Sequence, residues 1–394
     1  MSVPITPPRG YKQGMPGELT LRPVGLRGPA EVDAKTETLL PLTGGPLSFS
    51  HCEAIWRSGG PGHWQAERAV LPLDEVPTWA EARAAGQGAE AEALLQRLAM
   101  PRAPLAGLSL DRPRIMGILN VTPDSFSDGG DRADPEIAVR DGLAMLAAGA
   151  DILDVGGEST RPGSQPVSLA EERARVVPVV EALARAGATV SIDTRHAAIM
   201  EEAVAAGAAI INDVTALEGD PDSLAVAAEA GVPVILMHMQ GEPQTMQANP
   251  TYDAAALDIY RYLAGRLEAC AGAGIAPGRM VVDPGIGFGK TLDHNLQLLE
   301  QLALFQGLGT AVLLGASRKS FIAKLASDAG APKQRLPGSL AAALLGLQRG
   351  VQILRVHDVA ETCQAVAVWQ AAGAVPPPVG DAERPADSAG AALL

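Results

Sequence analysis

From about Arg112 to Ala372 the chain alternates short runs of Val, Ile and Leu with longer Ala-rich amphipathic stretches. Short apolar, β-branched runs read as buried strands; apolar positions recurring at three- and four-residue spacing read as helices. Eight strand candidates result: Arg114–Val121, Asp151–Gly156, Thr189–Asp193, Ala209–Val214, Pro233–His238, Met280–Pro284, Ala311–Ala316 and Gln352–Val356. Pro135–Ala148, Leu169–Ala186, His196–Ala206 and Thr251–Ala273 are predicted helices between them. Eight βα units in roughly 260 residues is what an α/β fold of the (β/α)8 type, the TIM barrel, requires. A doubly wound open sheet uses the same units. The barrel is favoured because polar motifs follow every strand on its C-terminal side, and only a closed barrel brings all eight ends to one face.

The flanks have a different texture. Residues 1–110 are rich in Pro and Gly and hold Trp56, Trp64 and Trp79. Val76–Leu98 is predicted to be one helix, with Pro77 in its first turn, and the rest short strands or loops. Three tryptophans bring apolar area that is normally buried, so a small accessory unit packed on the barrel or on a neighbouring subunit is expected. Residues 375–394 begin Val-Pro-Pro-Pro and continue in small and polar residues, which predicts a disordered tail. The expected division is therefore 1–110, 111–374 for the barrel, and 375–394.

Composition narrows the function classes. Of 394 residues, 47% are hydrophobic and 19% charged, as in a packed globular protein. The net charge of −14 argues against sequence-independent binding to nucleic acid or to an anionic membrane, so an anionic ligand needs a local gathering of cations. No apolar run approaches the roughly 18 residues of a membrane span, and Met1–Pro8 lacks a signal-peptide core. Cys52, Cys270 and Cys363 are scattered, which fits free thiols in a reducing cytoplasm.

The chemistry gathers at the strand ends. Asp154, Asp193, Asn212 and Asp283 end separate strands. Each alone reads equally well as a helix cap. Four at corresponding positions point to a pocket whose oxygens accept from a flat heterocycle with several N–H groups. Ser317-Arg318-Lys319 and Arg355-Val356-His357 bring cations to the last two strand ends, the frequent phosphate site of this fold. The segment Asp283–Thr291 imitates a nucleotide loop but fails both glycine spacings, which leaves a flexible turn with Phe288 available to stack. Asn120–Gly130 and Gly156–Gly163 are long, polar loops of the kind that form mobile lids, and Asn120 offers a carbonyl oxygen to Mg²⁺. His51, Cys52 and His63 form no metal spacing and read as structural, while His238 reads as a ligand or a satisfied strand-end histidine.

Taken together, Asn120–Gly130, Asp154–Gly163, Ser191–Thr194, Ile211–Asp213, Asp283–Lys290, Ser317–Phe321 and Arg355–His357 closely resemble bacterial dihydropteroate synthase over about residues 112–372. The resemblance implies a (β/α)8 barrel, commonly a homodimer, that joins hydroxymethyl-dihydropterin pyrophosphate to para-aminobenzoate and needs Mg²⁺. It implies that Asp193, Asn212, Asp283 and Lys319 hold the pterin and that Asn120 binds Mg²⁺. Thr160, Arg355 and His357 are implied at the pyrophosphate, and Arg161, Pro162, Phe288 and Ser320 around para-aminobenzoate. The carboxylates Asp154, Asp193 and Asp283 favour a cationic carbon as pyrophosphate leaves. A corrinoid methyltransferase sharing the pterin-binding barrel would not need the Lys319, Arg355 and His357 cluster. A pterin-binding protein without catalysis would be expected to carry a damaged loop or phosphate ligand, and none is damaged.

Overall fold

The computed structural model describes residues 17–28, 38–60, 63–122, 135–159, 167–242, 245–326 and 330–373. The first part builds β1 (Glu18–Val24), β2 (Leu40–Pro41), β3 (Ser48–Phe49), β4 (His51–Ser58) and β5 (Gln65–Pro72), then α1 (Val76–Glu81) and α2 (Gln87–Ala99). An antiparallel sheet runs in the order β1-β4-β5, and β2 pairs with β3. Leu21, Phe49, Cys52, Trp56, Leu94 and Leu98 form its core with the two helices.

The single helix expected over Val76–Leu98 is two. Gly86 is left-handed, with φ of +84°, which a right-handed helix cannot continue. The Glu81 carboxylate accepts from the N–H groups of Gly86 (3.1 Å) and Gly88 (2.9 Å) across the break. It thereby satisfies donors that the start of α2 would leave orphaned.

The barrel follows as β6 (Arg114–Asn120), α3 (Pro135–Ala147), β7 (Ile152–Gly156), α4 (Leu169–Arg185), β8 (Val190–Asp193), α5 (Ala197–Ala205), β9 (Ile210–Asp213) and α6 (Ser223–Ala230). It continues with β10 (Val234–Met237), α7 (Ala255–Gly272), β11 (Met280–Asp283), α8 (Leu292–Glu300), β12 (Ala311–Leu314), α9 (Ser320–Leu325), α10 (Leu336–Leu347), β13 (Ile353–Val356) and α11 (Val359–Gly373). All eight strands are parallel, and β13 pairs with β6 to close the barrel. This is the TIM barrel, not the open sheet.

Alternation along each strand separates two cores. Leu153, Val155, Ile192, Val282 and Leu354 pack outward under the helices. Met116, Ile152, Ile210, Ile235, Val281 and Ile353 pack inward, joined by Leu105 and Leu110. The Leu105–Leu108 turn, held by reciprocal backbone bonds of 2.9 and 2.8 Å, thus closes the barrel base. Leu105 is 2% exposed, so Leu105→Ala should lower stability by about 2–5 kcal/mol through the cavity it leaves. Denaturant titration measures the loss, and turnover per folded molecule should stay unchanged.

The N-terminal sheet is tied to α7 and to the segment before β12. Buried Arg57 reaches Asp258 at 2.6 Å, and the Trp64 ring lies between the Arg57 and Arg261 guanidinia, 4.4 and 4.0 Å from its centroid. Arg102 donates to the Gln306 carbonyl at 2.7 Å, and Gln352 donates to Thr43 at 3.1 Å.

Candidate active site

Above the aliphatic base layer the inward positions turn polar. Strand parity brings Asp154 from β7, Ser191 and Asp193 from β8, Asn212 from β9, Asp283 from β11 and Arg355 from β13 into one mouth. The parallel register sets Asp193 between Gly156 and Asn212. Arg355 spans the mouth as a fork: its Nε lies 2.6 Å from Asp154 Oδ2 and its Nη2 2.5 Å from Asp193 Oδ2. Asn212 donates to the same Asp154 oxygen at 3.1 Å. Asp154 is fully buried, and its Oδ1, like Ser191 Oγ, has no hydrogen-bond partner among the described residues.

Burial sets the electrostatics. It pushes the Asp193 carboxyl up to about 7, with Arg355 pulling down and Asp154 pushing further up. Burial also raises Asp283, against the Gly285 N–H, which it accepts at 2.7 Å, and the nearby Lys319 and Arg355. Burial alone would weaken the charge on Arg355, but Asp154 and Asp193 outweigh it and hold the guanidinium cationic.

The glycine loop after β11 presses on the exit of β10. Gly285 has φ of +72°, and a Cβ there would lie 2.0 Å from the His238 carbonyl oxygen, so only glycine fits. Lys290 is 1% exposed. Its Nζ lies 3.0 Å from His238 Nδ1 and donates to the carbonyls of His238 (3.2 Å) and Phe288 (2.9 Å). Burial lowers the pKa of both Lys290 and His238. His238 is thus a partner of Lys290 inside the protein. Phe288 packs with Val214, Met237 and Met246, and Lys319 Nζ stands 3.8 Å from its ring centroid.

The two cation-bearing loops meet through Ser317, whose Oγ lies 3.0 Å from His357 Nδ1. The sequence reading groups Arg318 with the cations of the mouth; the structure instead pairs its guanidinium with Asp358. Lys319 stands just before α9, which begins at Ser320, with no side-chain capping bond. Asn120 ends β6 opposite Gly156, half-buried. Thr160, Arg161 and Pro162, the loop from Pro123 to Gly130, and the expected tail over 375–394 lie outside the described residues. No group of three or more His, Cys, Asp or Glu among the described residues is arranged to hold a metal. A lone amide oxygen suits Mg²⁺ completed by water and substrate phosphates, not a self-sufficient protein cage.

Several supporting residues escape the sequence reading. Glu172, 1% exposed, accepts from Thr194 at 2.6 Å and lies 2.7 Å from His196 Nδ1, just behind Asp193. Arg195 binds Glu158 at 3.0 Å. In sequence Glu172 looks like an ordinary acidic residue in the first turn of α4. Lys290 looks like the end of a failed nucleotide loop.

Comparison with known proteins identifies the family of this barrel. The model of the family described as "Pterin binding enzyme" matches residues 116–357. The dihydropteroate synthase of Escherichia coli is 49% identical over 265 residues, covering 67% of this chain and 93% of that protein. The Xanthomonas albilineans dihydropteroate synthase, solved with 4-aminobenzoic acid, superposes with a TM-score of 0.66 at 50% identity, covering 70% of this chain and 99% of that one. The same enzyme in complex with 7,8-dihydropteroate gives a TM-score of 0.63 at 48% identity, covering 70% and 100%. With the family model spanning the barrel from β6 to His357, and with these relatives covered almost end to end, the chain belongs to the pterin-binding enzymes and, within them, to the dihydropteroate synthases, a family of transferases.

Proposed function

We propose that the barrel mouth binds a hydroxymethyl-dihydropterin pyrophosphate and para-aminobenzoate and joins them to dihydropteroate and pyrophosphate. The observation that supports this reading is the mouth in which Arg355 meets Asp154 and Asp193, with Asn212 bonded to Asp154 and Asp283 on β11, while Lys319 and His357 follow β12 and β13 on the same rim. Acceptors there suit the N–H edge of a pterin, and the buried Asp154 Oδ1 is an acceptor awaiting a donor. The cations suit the pyrophosphate. The relative solved with 4-aminobenzoic acid and with 7,8-dihydropteroate supports the same substrate classes.

The reaction breaks the bond from the pterin methylene carbon to the pyrophosphate oxygen and forms one to the arylamine nitrogen, which gives up a proton. The arylamine is a weak nucleophile, so bond breaking leads. Asp154, Asp193 and Asp283 favour the positive charge that develops on the carbon. Arg355 and His357 hold the departing anion, and Lys319 adds its charge there while also reaching the pterin. Thr160 joins them at the pyrophosphate, and Arg161, Pro162, Phe288 and Ser320 line the para-aminobenzoate side. Asn120 would hold Mg²⁺, which supplies charge neutralisation to the leaving group. Homodimerisation and cytoplasmic residence follow from the same family reading, and residues 1–110 serve as an accessory unit outside the chemistry. Among the described residues no helix is long and apolar enough to cross a membrane.

The test is a coupling assay with both substrates, with and without Mg²⁺. Dihydropteroate should form only when the metal is present. Protein that binds the pterin but yields no product with para-aminobenzoate would instead be a pterin-binding paralogue without catalysis.

A further inference from the structure

Arg318 lies between Ser317 and Lys319, yet its N–H, its carbonyl and its guanidinium all turn to the protein. Its backbone is left-handed, with φ of +57°, a conformation that side chains larger than glycine rarely adopt. Three contacts hold it there. Its N–H donates to Ser339 Oγ at 2.9 Å, and its carbonyl accepts from Arg335 at 2.9 Å. Its guanidinium forks onto Asp358, with Nε 3.0 Å from Oδ2 and Nη2 in contact with Oδ1. Ser339 in turn donates to the Arg335 carbonyl at 2.8 Å. Ser339 can reach because Gly338 lets α10 approach α9; a Cβ on Gly338 would lie 2.4 Å from Ile322.

Asp358 directly follows His357, and its carbonyl accepts from Thr362 at the start of α11. The fork therefore joins the loop after β12 to the loop after β13. The neighbours of the two clamped residues, Lys319 and His357, are basic residues that join Arg355 at the mouth, and Ser317 bonds His357 on the other side. An arginine in the left-handed region persists only where its surroundings over-determine it, and such positions cluster at functional sites.

The geometry points to Arg318 and Asp358, with Ser339 and Arg335, as a positioning clamp that sets Lys319 and His357 at the spacing the pyrophosphate ester requires. The inference rests on the dihydropteroate synthase reading for its substrate and adds residues that touch neither substrate. Loss of the clamp acts through Lys319 and His357, so it should be felt at the anion. The pterin body, which Lys319 also reaches, is held mainly by Asp193, Asn212 and Asp283 on other strands and should lose less.

The test uses the full chain with Arg318→Lys, which keeps the charge but loses the fork, Asp358→Asn, and the double variant. Thermal melting checks folding first, and Arg318→Lys is the milder change should Asp358→Asn melt too low to assay. Three quantities are read: affinity for inorganic pyrophosphate with Mg²⁺, kcat/KM for the pterin pyrophosphate, and KM for para-aminobenzoate. Each folded single variant should bind pyrophosphate about tenfold or more weakly and lose kcat/KM about ten- to a hundredfold, with KM for para-aminobenzoate within about twofold. The double variant should be no worse than the worse single, since the two residues act as one unit. Pyrophosphate affinity within twofold of wild type in either folded single variant, or losses that simply add in the double, would overturn the clamp. Wild-type protein that fails to form dihydropteroate sinks the reaction reading instead, because pyrophosphate binding is measured apart from turnover.

Discussion

Arg355→Ala should lower the stability of the folded protein by about 3–5 kcal/mol, the usual cost of removing one partner from a buried ion pair. The guanidinium bridges Asp154 at 2.6 Å and Asp193 at 2.5 Å, and Asp154 is fully buried. Removing the arginine leaves Asp154 with Asn212 alone and Asp193 without its cation. Asp193 must then take up a proton to stay buried, and Asp154 is left a buried charge without its cation. The sign of the pH dependence follows. A carboxyl whose folded pKa lies above its unfolded value binds more protons when folded, so its contribution to stability falls as pH rises through that window. Asp193 already stands at about 7 in the intact protein, and Arg355 is what opposes a further rise. The variant should therefore be destabilised less at pH 5 than at pH 8. Denaturant unfolding at the two pH values measures this directly. A loss below about 1 kcal/mol, equal at both, would mean that the fork is a solvated surface pair.

The second large effect falls on binding. Asp283→Asn should weaken affinity for the bare hydroxymethyl pterin by about 2–4 kcal/mol, or roughly thirtyfold to a thousandfold. Asp283 is 6% exposed, and one carboxylate oxygen already accepts the Gly285 N–H at 2.7 Å. The other lies beside Gly315, where an added Cβ would be 3.5 Å away, so β12 leaves room in front of it. In the asparagine variant the Gly285 bond keeps the amide oxygen in place and turns the NH₂ toward the ligand. A donor then meets a pterin donor inside a buried site. Calorimetric titration decides the matter, and near-normal affinity would remove Asp283 from the pocket.

Much of this protein was legible without coordinates, for local reasons. Buried parallel strands are short runs of Val, Ile and Leu, and their helices repeat at a different period, so all eight βα units could be counted. Asp154, Asp193, Asn212 and Asp283 could be placed together because inward positions near the C-terminal ends of barrel strands converge on one mouth, although only Asp193 and Asp283 end their strands, Asp154 and Asn212 lying inside β7 and β9. The break between α1 and α2 was not legible, because it depends on Glu81 reaching forward to Gly86 and Gly88.

What the tertiary structure alone decided is the pairing of residues far apart in the chain. Arg355 lies 201 residues from Asp154 and 162 from Asp193, and nothing local to any of the three signals that they share charge. Barrel closure through β13 and β6 brings them within hydrogen-bond reach. The same holds for Arg318 and Asp358, where the sequence suggests a ligand-binding cation, and for Lys290 beneath His238, where it suggests the end of a glycine loop. Periodicity is a property of neighbours along the chain, so sequence carries the units and their polarity. Ion pairs and burial are properties of neighbours in space, so the closed barrel assigns which cations face a ligand and which are held by the protein itself.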